Sequence, residues 1–284
     1  MIVADILLII ITLAALIFAA ITDLKIKEVP DWLSYGLIAS GISIRLLHAL
    51  IFNEFNYFLY GLLGLITMFI VGNILYHTKQ WGGGDSKLLM GLGTTLATTP
   101  YYLDQSRIPF LAVIFVFILL SGIIYALLWF VFFIFKDTKR FKEEFKKVMK
   151  SKLSKIGIIS SITLAIIFLI LSIIFNSYTR LILIILTPLL IIYPFLFIAA
   201  KAIENLYLYT YLSPDKLMEG DWIVEDITQD KKTIFNKKVS ITKKDIKTLK
   251  ELNVKQVLVK DGIPFVPPFL IGTILALILG NPLI

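Results

Sequence analysis

Long runs of apolar residues, separated by short polar stretches, dominate the sequence. A bilayer core takes about 20 apolar residues per helix. The runs therefore predict about eight transmembrane helices, at roughly 2–22, 33–52, 57–77, 87–103, 108–135, 156–176, 180–200 and 264–283. The fourth run is the least apolar, with Gly91, Gly93 and four threonines. Such small residues suit a helix that packs inside a bundle, where backbones approach closely.

The stretch 213–262 is polar and predicts a small folded lobe. Its pattern indicates a strand over 222–227, a helix that begins with the capping pair Thr242 and Asp245, and a strand over 254–260. We therefore expect an all-α polytopic membrane protein with a small cytoplasmic α+β lobe before the last helix. The predicted parts are a membrane core (1–135), a basic interfacial segment (136–155), an additional helix pair (156–200), the lobe (201–262) and a C-terminal transmembrane helix (263–284).

Basic residues are concentrated in alternate connections between the predicted helices. The connection 136–155 carries nine Lys or Arg and 201–263 carries twelve, whereas the connections around 53–56, 101–107 and 177–180 hold only Arg107 and Arg180. The positive-inside rule then predicts that both termini lie outside. We expect 139–153 to form an amphipathic interfacial helix on the cytoplasmic side.

Composition narrows the possible chemistry. The chain is 58% hydrophobic and 17% charged, with a mean hydropathy of +0.86. Its net charge of +8 is best explained by anionic lipid headgroups as partners rather than nucleic acid. The 284 residues include no cysteine, which excludes disulfides, thiol nucleophiles and cysteine metal sites. The sequence also lacks the His-Glu-x-x-His pattern of zinc proteases, and we expect neither a metal nor a cofactor.

Two aspartates lie at predicted membrane boundaries, where a charged group is costly unless it is solvated, paired or used. Asp23 follows the first apolar run, and Asp85 comes after Gly82, Gly83 and Gly84, before the fourth run. The predicted topology places both on the cytoplasmic side. Each has a structural explanation: Asp85 as a helix N-cap, the glycines as a flexible turn, and Asp23 as a solvated boundary residue.

A pair of carboxylates on one side of a membrane also has a chemical use. Like charges about 3 Å apart cannot both ionise, so the pair shares one proton and can activate water while polarising a carbonyl. Glycines without side chains allow a sharp bend and a close approach by an extended substrate strand. Asp23 and Asp85 are therefore our candidates for a catalytic pair.

The surrounding motifs resemble those of the type IV prepilin peptidases, especially the archaeal preflagellin and prepilin peptidases. Asp23 is followed by Val29-Pro30-Asp31, similar to the family's first motif, and 82–87 matches its Gly-x-Gly-Asp-x-Lys motif. The segment 262–269 looks like the family's Ile-Pro-Phe-x-Pro-Phe entry to the last helix. The resemblance covers 1–105 and about 255–284, and it implies catalysis by Asp23 and Asp85 without metal. We expect the catalytic membrane core to span 1–135. The residues expected to shape the site are Gly82, Gly83, Gly84, Lys87 and Pro30.

The resemblance also implies a substrate and a location. Members of this family remove a short basic leader from pilin-like or archaellin precursors, on the cytoplasmic side of the cell membrane. A basic leader needs acidic partners, and the candidates are Glu28, Asp31, Glu219 and Asp221. For the last two, an ordinary solvated face is the simpler explanation. Lys87 is a candidate either for lowering the pKa of Asp85 or for binding a headgroup, and Trp32 and Trp81 are candidate interfacial anchors.

Three other functions remain as alternatives. A presenilin-like or signal-peptide-peptidase-like enzyme also uses Gly-x-Gly-Asp, but its first aspartate lies inside a helix, whereas Asp23 is predicted to end one. A proton- or cation-coupled transporter would place its acids nearer the membrane midplane. A membrane scaffold would leave Gly82–Asp85 without a role.

Overall fold

The computed structural model describes residues 2–78, 80–103, 108–175, 178–229, 232–238 and 241–281, with only the backbone described for 229 and 232. Arg107 lies outside these residues. The described helices are α1 (Ile2–Ile26), α2 (Asp31–Phe52), α3 (Phe55–His77), α4 (Gly83–Thr95), α5 (Phe110–Lys136), α6 (Thr138–Met149), α7 (Lys152–Ile174), α8 (Tyr178–Ile203), α9 (Lys243–Glu251) and α10 (Val266–Leu279). The strands are β1 (Tyr209–Leu212), β2 (Trp222–Ile223), β3 (Ile227–Gln229), β4 (Lys232–Phe235) and β5 (Val257–Lys260).

Six of the described helices are long and apolar enough to cross a membrane: α1, α2, α3, α5, α7 and α8 with its π-helical extension. Only 17–39% of the residues in their most apolar stretches are buried within the protein. Large apolar side chains such as Ile10, Leu128 and Ile173 are mostly exposed, which is stable only where lipid replaces water as solvent. The fold is therefore that of the predicted multi-pass membrane protein.

The other two predicted spans form shorter helices. Helix α4 has 13 residues and begins four positions before the predicted 87–103, because the glycines belong to its first turn. It packs inside the bundle as its composition predicted: a Cβ on Gly64 of α3 would overlap the carbonyl oxygen of Gly93. Helix α10 has 14 residues.

A buried arginine closes the end of α4 opposite to Asp85. Arg45 of α2 is 1% exposed, and its guanidinium donates to the carbonyls of Thr94 (2.7 Å), Thr95 (3.0 Å) and Tyr57 (3.0 Å). The Tyr57 hydroxyl donates in turn to Asp5 of α1 at 2.6 Å. The final carbonyls of a helix lack intrahelical partners, so this cluster satisfies the end of α4 and ties it to three neighbouring helices.

The chain divides into two compact units, Met1–Ala126 with Gly262–Ile284, and Leu127–Asp261. In the first, apolar side chains of α1, α2, α4, α5 and α10 form one core, which includes Leu16, Leu88, Ile114 and Phe269.

The second unit contains the predicted lobe with a small core of its own, formed by Leu217, Ile223, Ile241, Leu249, Val257 and Val259. Strands β1 and β2 pair antiparallel on either side of β5, and β3 and β4 form a separate hairpin. The capping pair is confirmed, since Thr242 and Asp245 exchange hydrogen bonds at the start of α9. The predicted strand 222–227 is wrong in detail because two short strands in different sheets replace it.

The basic segment after α5 forms α6, as its amphipathic pattern predicted. Asp137 caps this helix by accepting the Arg140 N–H at 3.1 Å. Phe141 and Phe145 lie one turn apart with ring centroids 5.8 Å apart. Asn205 donates to Glu144 at 2.8 Å, which holds α6 against the end of α8.

Candidate active site

Asp23 lies in the last turn of α1 and is only 6% exposed, so it is not the solvated boundary residue that one interpretation of the sequence allowed. The helix ends at Ile26, and Lys27 takes a left-handed conformation (φ 55°). The Lys27 N–H donates to the carbonyl of Asp23 at 2.8 Å, a bond typical of a left-handed helix end. The chain thus leaves α1 directly beside the carboxylate.

The Asp23 carboxylate is held by the first turn of the last helix. Its Oδ2 accepts the backbone N–H of Val266 at 2.8 Å, across 243 positions of sequence. The N–H of the neighbouring Phe265 also faces this carboxylate. No sequence pattern of the kind used above predicts this contact, although the third family motif covers the residues that make it.

Asp85 lies in the first turn of α4, outside the six long apolar helices. Gly82 is the N-cap of this helix, and the Asp85 Oδ2 accepts the Gly82 N–H at 3.1 Å. This bond is the half of a capping box that the third residue of a helix supplies, and Gly82 has no side chain to return the other half. Asp85 therefore assists the cap without being the N-cap itself.

The electrostatics of Asp85 connect it with Asp23. Burial against the surrounding protein raises the pKa of Asp85 to about 7, while the Gly82 N–H lowers it and the charge of Asp23 raises it further. A carboxyl with such a pKa carries a proton over much of the range in which ordinary carboxyls are ionised. The charge of Asp23 thus reaches Asp85.

The glycines before Asp85 let the two motifs meet. A Cβ on Gly84 would lie 3.0 Å from the Cβ of Val29, whereas one on Gly83 would meet only Tyr76, at an ordinary 3.7 Å. Gly84 therefore allows the connection between α1 and α2 to rest on the start of α4. Pro30, the N-cap residue of α2 with extended backbone, completes this connection.

Lys87 forms an ion pair with Asp31. Its Nζ lies 2.5 Å from the Asp31 Oδ1 and 5.6 Å from the centre of the Tyr35 ring. This ion pair joins the start of α2 to α4 and so links the two motifs in addition to the contact between Val29 and Gly84.

Trp81 packs against the protein interior, whereas Trp32 is 65% exposed as expected of an interfacial residue. The Trp81 ring centroid lies 6.0 Å from that of Phe115, 5.8 Å from Phe265 and 4.9 Å from Phe269. Phe265 and Phe269 belong to the entry and first turns of α10, so this tryptophan joins the Gly82–Asp85 turn to the last helix.

The four candidate leader-binding acids are dispersed. Glu28 and Asp31 lie in the same unit as Asp23 and Asp85, whereas Glu219 and Asp221 lie in the other unit. Glu219 faces Lys243 at 3.8 Å, and Asp221 accepts the Met218 N–H at 2.8 Å. Two of the four thus serve the lobe itself. Within the described part of the chain, no three His, Cys, Asp or Glu side chains form a group that fits a metal ion.

The fold and this site define a class: a multi-pass membrane protein that brings two carboxylates from separate motifs to one end of a helix bundle. Residues 10–136 match the type IV leader peptidase family, which confirms the resemblance over that segment. The match covers both aspartates.

Curated relatives agree with this family. The chain is 31% identical over 81 residues to the preflagellin peptidase of Methanocaldococcus jannaschii, covering 28% of this chain and 34% of that protein. It is 25% identical over 158 residues to prepilin peptidase EppA of Methanothermobacter thermautotrophicus, covering 52% and 41%. It is 26% identical over 97 residues to the preflagellin peptidase of Methanococcus voltae, covering 34% and 41%. The matches span between a third and about two fifths of these relatives, whose names favour neither a transporter nor a presenilin-like enzyme.

Proposed function

We propose that the protein is a membrane aspartyl endopeptidase that removes the short basic leader of pilin-like or archaellin precursors. Asp23 and Asp85 are its catalytic pair, and cleavage takes place at the cytoplasmic boundary of the cell membrane. The observation that carries this proposal is the meeting of two distant motifs at one site, where burial and the charge of Asp23 raise the pKa of Asp85 to about 7.

In this mechanism the two carboxyls hold one proton between them. The ionised member takes a proton from water as the water oxygen attacks the carbonyl carbon of the scissile peptide bond, and the protonated member donates its proton to the carbonyl oxygen. As the C–N bond breaks, the first carboxyl passes its proton to the leaving amine. The second carboxylate takes back a proton from a hydroxyl of the tetrahedral intermediate, and the carboxylic acid product forms. Because like charges at short range resist double ionisation, the pair supplies both roles and titrates as a unit. Of the site residues, Gly84, Pro30 and Lys87 hold the two motifs together, while Gly82 and Gly83 form the turn that carries Asp85.

The location of the pair suits such a precursor. Asp23 lies at the end of an apolar helix and Asp85 at the start of another, so a scissile bond that flanks an inserted apolar segment can reach both at the level where water is available. Glu28 and Asp31 follow Asp23 closely and are the acids best placed to attract a basic leader. Lysines of the basic segment, such as Lys146 and Lys147, are the groups that we expect to meet anionic headgroups on the cytoplasmic side.

Co-expression with tagged precursors tests the proposal. Asp23→Asn and Asp85→Asn each replace a carboxylate by a neutral amide of the same shape. Each is expected to abolish the shift from precursor to mature protein, while the unsubstituted chain processes at least one archaellin or pilin precursor. Asp215→Asn is the matched control, because Asp215 is an exposed acid of the lobe that pairs with Lys250.

Processing should continue in the control variant. Maturation by either Asp23→Asn or Asp85→Asn at the rate of the control would show that the pair is not catalytic. Proton-driven solute uptake by reconstituted protein, with no cleavage of any precursor, would favour the transporter instead.

A further inference from the structure

The first turn of α10 is the point at which both aspartate motifs meet a third element. Val266 donates its N–H to the Asp23 carboxylate at 2.8 Å. One residue before it, the Phe265 ring contacts the tilted ring of Trp81, with the centroids 5.8 Å apart. Trp81 lies four positions before Asp85. One short segment therefore touches one catalytic side chain directly and the turn that carries the other.

The sequence of this turn is specialised for such a contact. The first four N–H groups of a helix, counted from the N-cap, lack intrahelical acceptors, and in α10 these positions are Phe265, Val266, Pro267 and Pro268. Proline has no N–H, so only Phe265 and Val266 keep a donor, and both of these N–H groups face Asp23. The two prolines also restrict the backbone, which reduces the freedom of the Val266 N–H to turn away from Asp23.

Helix α10 is itself fixed against α5. A Cβ on Gly272 would lie 2.5 Å from the backbone nitrogen of Ile118, and one on Gly122 would lie 2.6 Å from the Phe265 ring. The two backbones thus approach as closely as glycines allow, and the Phe265 ring fills the space over Gly122. Because α10 is held in a fixed position against α5, its first turn can fix the positions of the residues that it contacts, Asp23 and Trp81.

We propose that the first turn of α10 is a positioning element of the active site, which sets the placement of Asp23 relative to the Gly82–Asp85 turn through the Val266 N–H and the Phe265–Trp81 contact. The inference rests on the proposed function for its catalytic meaning. The placement of Asp23 relative to the Gly82–Asp85 turn does not depend on which precursor, if any, is cleaved. The competing explanation is that Asp23 merely caps α10 and stabilises it.

Replacement of the Val266 backbone N–H by an oxygen atom distinguishes a positioning role of this turn from a role of Asp23 as a helix cap. Val266 is replaced by α-hydroxyvaline through nonsense suppression, so that an ester oxygen takes the place of the N–H and the side chain is kept. Leu275→α-hydroxyleucine is the matched control, because it removes one N–H donor from the same helix two turns away from Asp23. Trp81→Leu tests the second contact.

Two readouts are measured for each variant. Because the chain has no cysteine, Leu24→Cys and Gln80→Cys, both at exposed positions, carry spin labels whose distance distribution reports the separation of the two motifs. Precursor cleavage is measured on unlabelled protein as kcat and KM. Small misplacements of catalytic groups reduce kcat strongly, whereas a purely structural loss acts through the amount of folded enzyme.

The Val266 ester and Trp81→Leu are each expected to widen the distance distribution. They should also lower kcat by about ten- to a hundredfold with little change in KM. The Leu275 ester should leave the distribution and kcat close to those of the unsubstituted chain, at a similar loss of thermal stability. An unchanged distribution in the Val266 ester, or equal effects of the two esters, would overturn the inference. A widened distribution in a protein that cleaves no precursor would leave the positioning intact and refute the proposed function.

Discussion

At the scale of single residues, the two aspartates differ in what holds them. Asp23 is fixed by the N–H of Val266 from the last helix, whereas Asp85 is fixed by the N–H of Gly82 from its own helix start. The first contact depends on the tertiary fold and the second is local. Asp85 is also the group whose protonation can be followed, because its pKa is raised to about 7 by burial and by the charge of Asp23.

The raised pKa predicts how stability depends on pH. The ordinary pKa of this carboxyl is 3.8, and in the folded protein it is about 7. The protonated form is therefore favoured by folding, and its contribution to stability is complete below about pH 4 and lost as the pH rises through about 7. Asp85→Asn removes the ionising group. The apparent melting temperature of this variant in detergent, relative to the unsubstituted chain, should be higher at pH 8 than at pH 4.5.

The same titration bears on the proposed activity, since a pair that shares one proton loses it as Asp85 ionises. Precursor cleavage by the unsubstituted chain should therefore decline above about pH 7. A melting difference that is the same at both pH values would show that Asp85 titrates as an ordinary carboxyl.

At the scale of elements, close backbone contacts hold the short helices α4 and α10 in the first unit. Glycines make these contacts possible at Gly64 and Gly93 between α3 and α4, and at Gly272 between α10 and α5. Between apolar helices in lipid, such close packing replaces the hydrophobic driving force that water supplies in soluble proteins. Helices too short to span alone thus gain a fixed position, and these two helices carry or contact the candidate catalytic residues.

Two glycine substitutions test this packing. Gly272→Ala places a methyl group against the backbone of α5, which cannot move aside, and should destabilise the protein by about 1–3 kcal/mol. Gly157→Ala in α7 is the matched control, since a Cβ there meets nothing within 4 Å. It should be neutral or stabilising by up to about 1 kcal/mol. Thermal unfolding in detergent checks both, and equal stability of the two variants would contradict the packing argument.

At the scale of the whole molecule, the distribution of charge predicts which side of the membrane each connection faces. The nine basic residues of 136–155 predict the cytoplasmic side for α6, and the connection at 53–54 is predicted to lie outside. The proposed cleavage site follows from this orientation. Asp23 lies at the end of α1, just before α2 begins, whereas Asn53 follows the other end of α2. The aspartates and Asn53 are therefore expected on opposite sides of the membrane.

Cysteine labelling in intact cells tests the orientation. The chain has no cysteine, so Asn53→Cys and Lys142→Cys each introduce a single exposed thiol. A membrane-impermeant maleimide should label Cys at position 53 in intact cells, and Cys at position 142 only after the cells are permeabilised. The reverse pattern would place the aspartates on the outer side and exclude cleavage of a cytoplasmic leader.

Local patterns in the sequence predicted much of this protein. The apolar runs predicted the six long helices because burial in lipid requires an unbroken apolar segment of fixed length. The capping pair Thr242 and Asp245 predicted the start of α9, and the amphipathic pattern predicted α6. The sequence patterns predict the short strands less well than the long helices. Strand β1 was missed and the strand at 222–227 was misjudged, because strands of two to four residues are stabilised by pairing with distant partners rather than by their own sequence.

The sequence by itself determined that this is a multi-pass membrane protein with two aspartates in recognisable motifs, since both facts depend on composition and on residues that are neighbours along the chain. Only the tertiary structure decided how those motifs meet. The contact of Val266 with Asp23 joins residues 243 positions apart, and the ion pair of Lys87 with Asp31 joins two helices. Such contacts are set by how helices pack against one another, which depends on the whole bundle at once and leaves no local pattern in the sequence.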